Sequence, residues 1–348
     1  MRSRRFFSAV ALLACLFLPA MAYRPLATAV ARNGTATQDK QAESKVSGEE
    51  ADAALKINKA VGAAAKLQAA GQFLKKYPKS SLRPRIASAL AMEVASTDPS
   101  QRLAFIDTYL SLFKEPSEAE MVSVAQIDAY ILLDRADDAF RLGSVWLEKH
   151  PDDIEVMRGL SVLSSNEAIR GNNKFVEPGN KYGGRAIELM EADKKPADLD
   201  PAKWNEYKAR WLPLLYREGG VLALKSGDNA GARTKLEKAA ALKSIDPVVY
   251  AILGQMKDEE YAAMAAKYQA MPDSAAKQTM LQTVQDQMDK VIAYYAQAMA
   301  LAGDKPEFVQ LKTQLKPGLE EYYKFRHNGS LEGLQQLIDK NKATAATP

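Results

Sequence analysis

A hydrolytic or group-transfer centre needs a nucleophile beside a base, or a metal ion with an open coordination position. This chain is poor in both. Of its 348 residues one is cysteine, Cys15, and two are histidine, His150 and His327. The histidines are far apart in sequence, form no HExxH pair and suggest no zinc site. His150 stands before Pro151, where a helix end would favour a positive charge. His327 precedes a turn at Asn328-Gly329. Gly183-Gly184 and Gly219-Gly220 lack the spacing of a phosphate loop, and no strand precedes them; they read as points of close helix packing or helix stops. Asp152-Asp153 and Glu259-Glu260 read as helix N-terminal charges. A glycosidase-type carboxylate pair can be widely separated in sequence, but nothing here favours one. The sequence therefore predicts no catalytic residue, no metal and no cofactor.

The residues that do suggest recognition are aromatic. Trp204, Tyr207 and Trp211 lie three and four apart, on one face of a helix, with Tyr216 beyond them. Two readings stand side by side. The stripe is core packing between helices, or it is an exposed peptide- or carbohydrate-stacking surface, since Trp and Tyr are favoured anchors. On the second reading Trp204, Tyr207, Arg210 and Trp211 are partner-binding residues. Arg210, with Lys208 and Arg217 nearby, would then hold a carboxylate.

Composition limits the partner. Lys and Arg number 47, Asp and Glu 43, and charged residues make up 26% of the chain. Three of the basic residues, Arg2, Arg4 and Arg5, lie in an N-terminal segment expected to be removed, which leaves a near-neutral chain. That gives no electrostatic case for nucleic acid. Residues 1–22 combine this basic start with an apolar run, Phe6–Leu18, and an Ala20-Met21-Ala22 end. The pattern is that of a signal peptide cleaved after Ala22, too short for a membrane span. The expected location is periplasmic or secreted. A rival pattern, Leu12-Leu13-Ala14-Cys15, is a lipoprotein box that would anchor the chain to a membrane through Cys15; Leu16-Phe17-Leu18 after it argues against that.

Beyond the leader, residues 23–50 hold few large apolar side chains and read as a flexible tether. From Ala51 to residue 341 the signal is helix after helix: strong helix formers, apolar residues three and four apart, and Pro-containing breaks. Helices are expected near 82–96, 101–113, 118–134, 136–149, 152–170, 180–192, 202–225, 228–243, 246–256, 258–270, 274–302, 306–324 and 330–341. Ser117 with Glu120 fits a capping box. Residues 342–348 read as a disordered tail. The fold class is all-α.

Helices near 15 residues joined by short turns give pairs of roughly 34 residues. In the pair 123–151, Tyr130, Ala139 and Pro151 stand where tetratricopeptide repeats place an aromatic, a small residue and a terminal proline. In the pair 220–247, Gly220, Ala232, Leu236 and Ala239 match, with Pro247 a few residues late. Ala63–Pro78, with Phe73 and Tyr77-Pro78, resembles repeat ends in outer-membrane-assembly and envelope scaffold proteins. The chain thus resembles the tetratricopeptide-repeat family. The resemblance implies an α-solenoid of stacked antiparallel helix pairs, irregular around 172–200 and 255–305. It also implies a non-catalytic role, with a partner protein or peptide held on the concave face. The remaining alternative rests on Leu281, Val284, Met288, Val291, Tyr295, Ala298 and Ala302, which step by three and four as a heptad seam. That seam reads as an internal stripe or as a self-association surface of an envelope assembly factor; an enzyme with a carboxylate-based site is the least favoured reading.

Overall fold

A computed structural model describes residues 46–197 and 199–345, and every regular element among them is a helix. The expected signal peptide, Cys15 and the tether as far as residue 45 lie outside the described residues, as do the last three residues of the expected tail. The chain divides into two compact units, 46–163 and 164–345, with the division inside one helix.

The first unit runs α1 (Gly48–Lys59), α2 (Gly62–Lys76), α3 (Arg83–Ala95), α4 (Pro99–Leu112), the one-turn α5 (Pro116–Glu120), α6 (Ser123–Leu132), α7 (Ala136–Lys149) and the start of α8 (Ile154–Ile169). Local chemistry sets the starts. Ser47 caps α1, its Oγ accepting from Glu50 N at 3.2 Å, so the helix begins within the stretch expected as tether. Asp98 caps α4 ahead of Pro99. The capping box sits two residues earlier than expected: Glu115 and Glu118 form it, not Ser117 and Glu120. Pro116 at the first helical position sets that register. Glu118 also receives Arg83 in two parallel bonds, Nε to Oε1 at 2.6 Å and Nη2 to Oε2 at 2.8 Å. Helices α2, α3 and α4 pack on one another around Leu67, Phe73, Leu90, Ile106, Tyr109 and Phe113; α4 packs on α6, and α6 on α7.

The second unit takes the end of α8 and a short turn of 3-10 helix, then α9 (Val176–Glu191), α10 (Pro201–Lys225), α11 (Asn229–Ala241), α12 (Pro247–Ala270), α13 (Ala275–Ala302), α14 (Val309–Arg326) and α15 (Leu334–Ala345). Each of α9 to α13 packs on the next, and α13 also carries α14 and α15. Two expected helices, 246–256 and 258–270, are one. Nothing between them breaks the ladder, since Lys257 and Asp258 cap nothing and no proline intervenes. Glu259-Glu260 therefore lies mid-helix and not at an N-terminus. The last helix continues to Ala345, into the stretch expected as tail.

Helix ends recur in one form. Arg135 N bonds Tyr130 O at 2.8 Å, Lys194 N bonds Leu189 O at 2.8 Å, Asp228 N bonds Ala223 O at 2.9 Å and Ser244 N bonds Ala239 O at 3.1 Å. In each case the residue before the donor is left-handed: Asp134, Asp193, Gly227 and Lys243. This is the Schellman closure, which satisfies the last carbonyls and reverses the chain. Asn328-Gly329 closes α14 in the same way, as a helix stop.

The residues quoted for the repeat occupy packing positions. Tyr130, Ala139, Ala232, Leu236 and Ala239 are buried, and a Cβ on Gly220 would lie 2.7 Å from Leu236 Cγ, so α10 and α11 touch through that glycine. Pro151 lies in the turn before α8, whereas Pro247 opens α12 behind its cap Asp246. The seam from Leu281 to Ala302 lies on α13; from Val284 on its members are buried within the unit. No helix among the described residues is long and apolar enough to cross a membrane.

Candidate docking surface

Asp200 caps α10, accepting from Ala202 N at 2.8 Å, and Pro201 starts it. This places Trp204, Tyr207 and Trp211 on one side, as the spacing requires. Trp204 and Tyr207 stack at 5.7 Å between ring centres, and Tyr207 tilts onto Trp211 at 6.3 Å. All three rings are buried, with 2%, 6% and 7% exposure, so of the two readings of the stripe the rings follow core packing and not an exposed stacking surface. The apolar rings gain more from covering one another than from solvent contact. Their polar edges are satisfied locally. Trp204 Nε1 donates to Asp193 Oδ1 at 2.7 Å, and Lys208 bonds the same oxygen. The Lys208 bond, then the Trp204 bond, hold the Asp193 carboxyl below the usual carboxylate range. Tyr216 donates to Glu191, and burial together with that bond pushes its phenol up.

Arg210 is the member of the predicted set that solvent reaches. Its guanidinium lies 4.5 Å from the Trp211 ring centre, and no carboxylate among the described residues pairs with it. A surface cation held flat on an aromatic face keeps its outer edge free for a carboxylate.

Several charged groups are inside, and Arg217, expected beside Arg210 to hold a partner's carboxylate, is one of them, buried against Glu218 and Asp246. In the first unit Arg102 Nη1 bonds Asp128 Oδ2, with both side chains buried, and Arg158 Nη2 bonds Glu155 Oε2 at 2.6 Å. Burial lifts the Asp128 carboxyl to about 6, outweighing the pull of Arg102. In the second unit Arg217 Nη1 bonds Glu218 Oε1 at 2.5 Å, and Arg217 Nε lies 3.2 Å from Asp246 Oδ2 without hydrogen-bond alignment. Burial pushes the Glu218 carboxyl up. The signal for this cluster was present in the sequence: Arg217-Glu218 interrupts the apolar run from Leu215 to Leu224. What the spacing does not reveal is that Asp246, the cap of the next helix but one, completes it.

His150 and His327 close α7 and α14. His150 stacks on Trp146 at 3.9 Å and its Nε2 lies 2.8 Å from Glu120 Oε1. His327 stacks on Tyr323 at 3.8 Å. Asp153 begins α8, its Oδ1 accepting from Val156 N at 3.2 Å, while its Oδ2 accepts from Trp146 Nε1 at 2.8 Å. Each group named thus has a packing or capping task. Among the described residues no group of three His, Cys, Asp or Glu side chains is placed to hold a metal ion. Comparison with family models, curated proteins and solved structures gives no match to this chain.

Proposed function

We propose that this chain is an exported, non-catalytic interaction module, built of tetratricopeptide-type helix pairs, that holds a partner protein or peptide. The observation that carries the reading is the succession of helix pairs: neighbours in sequence pack on each other, through small residues such as Gly220, and α6, α9, α10, α11 and α14 end in the same closing turn. The buried pairs Arg102 with Asp128 and Arg217 with Asp246 join different helices, a packing task that supports a structural over a reactive role for these charges. Arg210, flat on Trp211, is the residue we assign to the partner's carboxylate, with Trp204, Tyr207 and Trp211 as the rigid base beneath it.

A pull-down from envelope extract with the chain and with its Arg210→Glu variant tests both parts. A captured partner that is lost from the variant is the expected result. Equal capture removes Arg210 from the site, and turnover of a small substrate by the pure chain ends the non-catalytic reading. Self-association through the 281–302 seam would require residues such as Val291, wholly buried, to leave their packing within the chain.

A further inference from the structure

Helices α12 and α13, 24 and 28 residues long, form an antiparallel hairpin closed by the short turn Met271–Ser274. Their contacts step up one helix and down the other: Gly254 against Tyr295, Glu260 with Gln287 Nε2 at 2.6 Å, and Tyr268 under Lys277 at 5.4 Å. The base is well pinned. Asp258 accepts from Tyr295 Oη at 3.3 Å and from Tyr322, and Glu260 binds Arg233 and Lys257. Beyond the base the character changes. From residue 257 to residue 283 no side chain is buried, the longest such run among the described residues. Tyr261 still touches Tyr322, edge on at 5.2 Å; past it the contacts described are those of the hairpin with itself. The distal part is an arm.

The arm is amphipathic and only half covered. Tyr261, Met264, Ala265, Tyr268 and Met271 form one stripe, and Met280 and Leu281 answer it across the hairpin; all are of intermediate exposure. A helix in a lone pair has one neighbour, so it cannot cover a stripe more than 100° wide. The surface is also nearly without charge. Of residues 261–285 only Lys267, Asp273 and Lys277 are charged, against 26% for the chain, while three of its 12 methionines lie there. Depletion of charge with enrichment in Met and Tyr is the composition of an interface centre. Met also adapts its shape to what it meets.

We propose that a second copy of this chain covers the arm, two arms packing antiparallel about a twofold axis into a four-helix bundle. The nearly neutral surface has little to offer a strongly charged partner, and a copy of itself presents the same apolar stripe. The few charges fit. Asp273 at the tip is fully exposed beyond its bond to Lys277, and Lys290 near the base is exposed; tip-to-base pairing brings Asp273 level with the second copy's Lys290. The arm takes residues 257–270 of α12 and 275–283 of α13, so it is ~20 Å long along the first helix and ~14 Å along the second, and two helices make it ~20 Å wide. Such a face buries on the order of 1,000 Å² between two copies, the lower edge for a specific interface. The dimer is therefore weak and concentration-dependent. It does not rest on the Arg210 site, and either can fail alone.

Sedimentation of the full chain between about 1 and 500 μM tests this, with Cys15→Ser present throughout. The expected result is a monomer–dimer equilibrium whose dissociation constant rises at least about tenfold, roughly 1.4 kcal/mol, in Met264→Lys. A twofold axis through the middle of the arm sets Met264 near its own counterpart, so Met264→Cys should give a disulfide-linked dimer on mild oxidation, and Ala293→Cys, exposed on α13 nearer the base, should not. Should Met264→Lys lose helicity, the crosslink decides alone. A monomer at every concentration overturns the proposal. So does a dimer that Met264→Lys leaves intact and that Met264→Cys fails to trap.

Discussion

Replacing Asp128 by asparagine should flatten the pH dependence of stability by a predictable amount. Burial holds the Asp128 carboxyl at about 6 in the folded protein, against an ordinary value of about 3.9 in an unfolded chain. The folded state thus binds this proton more tightly. The resulting stabilisation is complete below about pH 3.9 and is lost as pH rises through about 6. Between pH 4.5 and 7.5 this one group removes about 2 kcal/mol from the free energy of unfolding. Asparagine keeps the shape and an oxygen for Arg102 Nη1 but takes up no proton. Urea unfolding of both proteins at pH 4.5 and 7.5 gives the comparison, because every other titrating group is common to the two. The wild-type curve should fall by about 2 kcal/mol more than the variant's across that interval. Parallel curves, or a wild type that gains on the variant as pH rises, would refute burial as the dominant influence on this carboxyl and would give that place to Arg102.

Trp204→Ala should cost about 3–5 kcal/mol in chemical denaturation, while Arg210→Ala, an exposed change on the same helix, should stay within about 0.5 kcal/mol; near-equal effects would contradict the burial of the stripe. Arg217→Ala strands Glu218 and Asp246 in the interior and should cost about 3–5 kcal/mol, visible as a large drop in thermal midpoint. Lys243 is left-handed at φ 55°, so Lys243→Gly should stabilise by about 1 kcal/mol if that turn is formed as described. Val291→Asp should unfold the chain, not merely alter its mass in solution, since the side chain is wholly buried within the second unit; a folded, soluble variant would count against that packing.

Helix formation was legible in the residues themselves. Amphipathic spacing and helix-forming composition act within a few turns, so all-α structure and most helix limits follow from the sequence. So do the stop at Asn328-Gly329 and the packing roles of Ala139, Gly220 and Ala232, because small residues and an Asn-Gly pair announce themselves locally. The misplaced features were those that competing neighbours decide. Pro116 moved the capping box, and the absence of any breaker fused two expected helices into α12.

Which face of a helix meets water was not legible, and it decided the site. Trp204, Tyr207 and Trp211 have the same spacing whether they are a docking surface or a core; only the helices packed around them settle that they are buried and that Arg210 remains outside. The same holds for α13, whose seam is covered by α12, α14 and α15 toward its C-terminal end yet half open along the arm. Burial depends on contacts between segments distant in the chain, and so does the joining of Arg217 and Glu218 to Asp246. Periodicity gives each helix an apolar side; tertiary packing alone decides what covers that side and how much of it is left.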